Sequence, residues 1–135
     1  MPAVHLLWNF PPAEWTLPRE EAHVWSASLL VPDVSAAELA KILSSDEKER
    51  AARFHFVKDK NRFVVARGFL RKILGSYLKI EPREIIFDYG AHGKPVLRGK
   101  KSLQFNLSHS GDLMLCAISR ERDLGIDLEK ISPLS

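Results

Sequence analysis

FNLSHSGDLMLCAISRERDLGIDLEKI, from Phe105 to Ile131, is the stretch on which the reading of this chain turns. It divides into FNLSHSGD, LMLCAIS and LGIDLEKI, three short runs of strand type in which polar residues are set among apolar ones. In the last run Asp127 and Glu129 are two residues apart. Residues i and i+2 of a strand share a face, so both carboxylates point one way while Ile126 and Leu128 point the other. Two convergent carboxylates suit a hard cation such as Mg²⁺, which takes oxygen ligands and often shares them with phosphate. Two ordinary acids on a solvent-facing edge strand would have the same spacing.

Working outward, the 135-residue chain fits one domain, and 45% apolar residues are enough to build a core. A net charge of +3 is mildly basic, which fits an anionic ligand or an acidic protein partner. The single cysteine, Cys116, excludes an internal disulfide and sits in an apolar run as a small core residue. The five histidines show no zinc-like spacing. With no signal pattern and no apolar run of membrane-spanning length, the expected location is cytoplasmic, with no membrane partner.

Residues 1–21, rich in Pro and Trp, read as an irregular arm with a short strand at Val4–Trp8, and residues 22–135 as a single domain. Ala22–Val31 alternates as a strand, closed by Pro32 and Asp33. A short helix is expected over Ser35–Leu43, with Ser35 as its N-cap. Ser44 and Glu47 have the spacing of a capping box for the helix that carries Lys48, Arg50 and Arg53. Over Asp59–Leu78, Phe63, Ala66, Leu70, Ile73 and Tyr77 recur every three or four residues, giving one apolar helix face. Arg62, Arg67, Arg71 and Lys72 fall on its other faces, and Gly75 weakens its last turn. Ile85–Tyr89 reads as a strand, Gly90–Pro95 as a turn and Pro95–Leu97 as a second extended piece. The class is α+β, helices packed on a mainly antiparallel sheet.

Ser108 and His109 cannot act as nucleophile and base on each other, because neighbours in a strand face opposite ways. A strand ending there would open a hydroxyl, an imidazole and backbone amides to a phosphate. A turn with a satisfied histidine is the other reading. Gly93-Lys94-Pro95 is a tight turn presenting a lysine, a compact phosphate donor when it converges with other cations and a surface side chain when it does not.

Taken together, Asp46–Arg50 with Arg53 and Phe54, the Arg62, Arg67, Leu70 and Arg71 helix, Gly93-Lys94-Pro95, Phe105–Ser110 and Gly125–Glu129 resemble the 4'-phosphopantetheinyl transferases of the surfactin-synthetase type. The resemblance covers most of the chain from Leu43 onward. It implies one half of a pseudo-dimer of two α+β halves with coenzyme A between them. The reaction it implies moves the phosphopantetheine arm of coenzyme A to a serine of an acyl or peptidyl carrier protein, with Mg²⁺ and release of 3',5'-ADP. By position, Asp127 and Glu129 would be the catalytic metal ligands, and Lys94, Ser108 and His109 would contact coenzyme A. Arg62 would lie by the nucleotide, and Arg50 is the further candidate for the 3'-phosphate. Two features depart from the family. Glu47 stands where a basic residue is common, and no Trp-x-x-Lys-Glu-x-x-x-Lys motif follows. The expectation is an N-terminal half with little activity alone, completed by a C-terminal half or by self-association. Two alternatives are a non-catalytic half-domain and a basic module in which Arg50, Arg53, Arg62, Arg67, Arg71 and Lys72 form a nucleic-acid face. Charge runs are more often solvated faces, so no nucleic-acid partner is expected.

Overall fold

The computed structural model describes residues 3–7, 21–90, 93–99 and 103–120. The expected strand around Asp127 and Glu129 lies outside these residues. Among the described residues, six strands and three helices follow in the order β1 (Ala3–Leu7), β2 (Glu21–Ser28), α1 (Asp33–Ala40), α2 (Ser45–Ala52), α3 (Val57–Leu78), β3 (Phe87–Tyr89), β4 (Pro95–Leu97), β5 (Leu103–Ser110) and β6 (Leu113–Arg120). A single 3-10 turn at Pro82–Glu84 separates α3 from β3, with Pro82 at its start. The class is α+β, as the sequence implies.

The larger sheet has the order β1-β2-β6-β5. Its β2–β6 and β6–β5 pairs are antiparallel, while β1 runs parallel to β2. β5 and β6 form a hairpin in which Ser110 faces Leu113 and Gly111 turns the chain at φ 59°. A left-handed φ costs glycine little, which is why the turn falls there. β3 and β4 form a separate two-stranded antiparallel sheet.

Period-two alternation divides the larger sheet into two faces. Trp25, Met114, Cys116 and Ile118 are buried on the face that meets α3, with Leu70, Ile73, Leu74 and Tyr77 opposite. Val24, Leu115 and Ala117 form a smaller buried cluster on the other face. Where helix and sheet meet, Tyr77 joins two strand residues: Trp25 Nε1 donates to its hydroxyl at 2.6 Å, and His23 Nδ1 lies 2.7 Å from it. An apolar layer of this kind is the main stabilising term of a domain this size.

α3 is buried on more sides than its apolar stripe implies, because α1, α2 and the 3-10 turn pack on it as well as the sheet. Arg67 and Arg71 are therefore not solvated. They are 5% and 1% exposed. Gly68 and Gly75 have packing reasons. A Cβ at Gly68 would lie 2.7 Å from Leu39 of α1, and one at Gly75 would lie 2.9 Å from the Ile80 carbonyl oxygen. The helix runs through Gly75 to Leu78, so the weakened last turn is not observed.

α1 also differs from expectation. It begins at Asp33 after Pro32, and the amides of Ser35 and Ala36 bond the Pro32 carbonyl. Ser35 thus sits inside the first turn rather than capping it, and Asp33 supplies the negative charge favoured at a helix N-terminus. The capping box at Ser44 and Glu47 forms as read.

Candidate functional site

A cleft of about 520 Å³ opens between α2, α3, the turn before β4, and β5. This is within the size range of small-molecule sites. Its apolar wall includes Leu29, Phe63, Phe105 and Leu107, and its cations are Arg50, Arg62, Arg67 and Lys94, with His109 beside them. Asp59 is the acidic residue of the lining.

Each basic group arrives by a different local device. The capping box starts α2, placing Arg50 in its last turn, on the cleft. Its guanidinium stands 5.4 Å over the Phe63 ring, a cation–π distance. Lys94 follows Gly93, whose φ of 72° is left-handed; the Gly90 amide bonds the Lys94 carbonyl at 3.0 Å and closes the turn. His109 is on the same face of β5 as Phe105 and Leu107, by the period of two.

Ser108 does not line this cleft. It lies opposite Leu115 and His109 opposite Met114, so both are in ladder register with β6 rather than in an irregular turn. The expectation of an opened turn at these two residues is corrected here. The opposite-face argument against a Ser–His pair stands. Arg62 reaches the cleft rim already held: its Nε and Nη2 each lie 2.8 Å from Asp112 Oδ1, with Asp59 4.0 Å from Nη1. Asp112 is in the β5–β6 turn, so this pair, with two guanidinium nitrogens on one carboxylate oxygen, ties the hairpin tip to α3. Of the expected ligand residues, Arg50, Arg62, Lys94 and His109 come together. Asp127 and Glu129 lie outside the described residues.

Sequence reasoning missed the floor of the cleft. Arg67 Nη1 donates to Glu47 Oε2 at 3.1 Å and to the Tyr89 hydroxyl at 2.8 Å. Arg71 donates from Nε to Glu47 Oε1 at 2.7 Å and from Nη1 to the carbonyls of Pro82 and Ile85. Glu47, 1% exposed, therefore closes the capping box and joins two buried arginines. The sequence offered one hint, that Arg67 and Arg71 are four apart and so share a helix face; their burial and their common partner Glu47 come from packing against other elements. Beside them, the Ser44 hydroxyl first, then the Asp46 backbone amide and the charges of Arg71 and Arg67, hold the Asp46 carboxyl below its ordinary value against a smaller cost of burial. Burial pushes the Cys116 thiol far up, so it offers no thiolate.

Among the described residues, no group of three His, Cys, Asp or Glu is placed to hold a metal, and no helix is long and apolar enough to cross a membrane. A family model described as "4'-phosphopantetheinyl transferase, N-terminal" matches residues 32–121. The 4'-phosphopantetheinyl transferase HetI of Nostoc sp. is 46% identical over 131 residues, which is 95% of this chain and 55% of that protein. The transferase psf-1 of Bacillus pumilus is 35% identical over 97 residues (72% and 41% of the two chains). Sfp of Bacillus subtilis is 29% identical over 93 residues (69% and 41%). The chain thus spans about half the length of these relatives.

Proposed function

The chain belongs to the 4'-phosphopantetheinyl transferase family, matched over its N-terminal part, and from that premise we propose that the cleft binds coenzyme A for transfer of its phosphopantetheine arm to a carrier-protein serine. The observation that carries the proposal is the convergence of Arg50, Lys94 and His109, from three separate elements, on one cleft. A ligand with several phosphates and an apolar base and arm matches cations set among Phe63, Phe105 and Leu107. In this reading Lys94 and His109 face phosphate oxygens, Arg50 takes the 3'-phosphate, and Arg62 shapes the rim by holding the hairpin. Ser108 takes part through its main chain, since its side chain faces away from His109.

The incoming serine oxygen forms a bond to the phosphorus that carries the pantetheine arm. The serine hydroxyl gives its proton to water, the bridging P–O bond of the pyrophosphate breaks, and 3',5'-ADP leaves with that bond's electron pair. Such transfer needs positioning and charge neutralisation more than covalent protein chemistry, so no nucleophile of the enzyme is required. Mg²⁺, when bound, would supply positive charge that offsets the charge on the pyrophosphate and steadies the leaving group. Asp127 and Glu129, two residues apart in the sequence, are the pair proposed to hold it. The other wall of the cleft, and any further metal ligand, would come from the remaining length seen in the relatives or from a second copy of the chain. The buried state of Arg67 and Arg71 leaves the nucleic-acid alternative without two of its six cations.

The test is calorimetric titration of coenzyme A with Mg²⁺ into the wild-type chain, Lys94→Ala and Asp127→Ala. Micromolar binding weakened by either change is expected. Affinity unchanged in Asp127→Ala removes the metal assignment, and affinity unchanged in Lys94→Ala removes the cleft.

A further inference from the structure

The cluster beneath the cleft holds two guanidinium groups against one carboxylate, all three residues at most 5% exposed. A buried charge without a counter-charge is costly, so the excess cation needs a partner. Arg71 already has one: Glu47 Oε1 and two carbonyl oxygens surround it. Arg67 differs. Its bonds to Glu47 and Tyr89 both leave from Nη1, and among the described residues Nε and Nη2 donate to no protein atom. It is also the one member of the three that lines the cleft. Rings steady its guanidinium, with Phe63, Phe87 and Tyr89 centred 5.3, 5.7 and 5.5 Å from Cζ. Asp46, the other carboxylate that feels these arginines, stands exposed in the first turn of α2, where water screens it.

We propose that Arg67 is a direct contact for the anionic group of the ligand, and that Glu47 is the residue that positions it. Glu47 takes one edge of the guanidinium, which leaves the Nε–Nη2 edge as a planar fork for phosphate oxygens. The bound anion then supplies the second negative charge that the cluster lacks. The inference rests on the reading of the cleft as a coenzyme A site, yet its core, an anion on Arg67, can be tested apart from that reading.

Inorganic pyrophosphate and coenzyme A are titrated separately into the wild-type chain, Arg67→Gln and Arg67→Lys, at low and high salt, with thermal melts run alongside. Arg67→Gln leaves Glu47 paired with Arg71, and Arg67→Lys keeps a charge beside Glu47 but offers no fork. The expected losses at low salt are about tenfold or more for Arg67→Gln and about threefold or more for Arg67→Lys, on both ligands. The gap from wild type should narrow at high salt, because a charge contact is screened. If Arg67→Gln does not fold, the Arg67→Lys comparison decides. Either variant binding both ligands as tightly as wild type overturns the proposal, as does a loss of equal size at both salt concentrations, the mark of a loosened fold. Arg67-dependent binding of pyrophosphate without binding of coenzyme A upholds the anion contact and removes the coenzyme A reading. Failure of the wild-type chain to bind either anion overturns both.

Discussion

Replacing Glu47 by glutamine should be among the most damaging single changes available to this chain. The carboxylate is 1% exposed, and its two oxygens accept from the Ser44 amide, from Arg71 Nε and from Arg67 Nη1. Glutamine keeps one acceptor oxygen and turns an NH₂ donor toward one of the two arginines. Breaking a buried ion pair costs about 3–5 kcal/mol, since the partner charge stays behind in the interior. That is a large share of the roughly 5–15 kcal/mol by which a native domain is stable. At a urea slope of about 1–3 kcal/mol per molar, the unfolding midpoint should fall by roughly 2 M with the slope unchanged. Loss of the cap alone would be smaller, and Ser44→Ala measures it at about 1 kcal/mol. Equilibrium urea unfolding of the two variants beside wild type separates these contributions. A Glu47→Gln cost no greater than that of Ser44→Ala would refute the ion cluster as the organising contact of α2 and α3.

Tyr77→Phe removes the hydroxyl shared by His23 and Trp25 and should cost about 1–3 kcal/mol, read as a lowered Tm. Gly75→Ala should destabilise despite the better helix propensity of alanine, because its methyl would press on the Ile80 carbonyl oxygen; a rise in Tm would count against that contact. Cys116 should resist a thiol reagent in the folded chain and react at a rate that follows unfolding, so rapid labelling under native conditions would contradict its burial. The Asp46 carboxyl titrates lower in the folded chain than its ordinary 3.8, so its contribution to stability is present above that value and fades as pH falls through the folded one. Asp46→Asn should therefore flatten the acid limb of a stability-against-pH curve, and an unchanged limb would oppose the assignment.

Local rules made several parts of the fold readable in advance. The capping box needed only Ser44 and Glu47, and the strand runs on either side of Gly111 only their polar residues set among apolar ones. Lys94 was legible because Gly93 fixes its turn. What stayed hidden depended on distant packing. That α3 lies between sheet and helices cannot be read from its own period, so Arg67 and Arg71 passed for solvent-facing residues. Glu47 looked like a departure from a basic position because its partners are 20 and 24 residues away. The Arg62–Asp112 pair, 50 residues apart, was likewise out of reach of spacing arguments. For Asp127 and Glu129 the sequence argument remains the one that stands.

The shared carboxylate of Glu47 also bears on how this protein can vary. One side chain starts a helix, pairs with two cations and orients the cleft floor, so a change of charge at residue 47 alone strands the arginines. A change at residue 67 alone alters the ligand field while the helix stays capped. A lineage could reverse the polarity of the pair only through both substitutions at once, or through a neutral intermediate of low stability. Positions 47 and 67 should therefore drift together among relatives, and residue 71, bound to two main-chain carbonyls as well, should lag behind them.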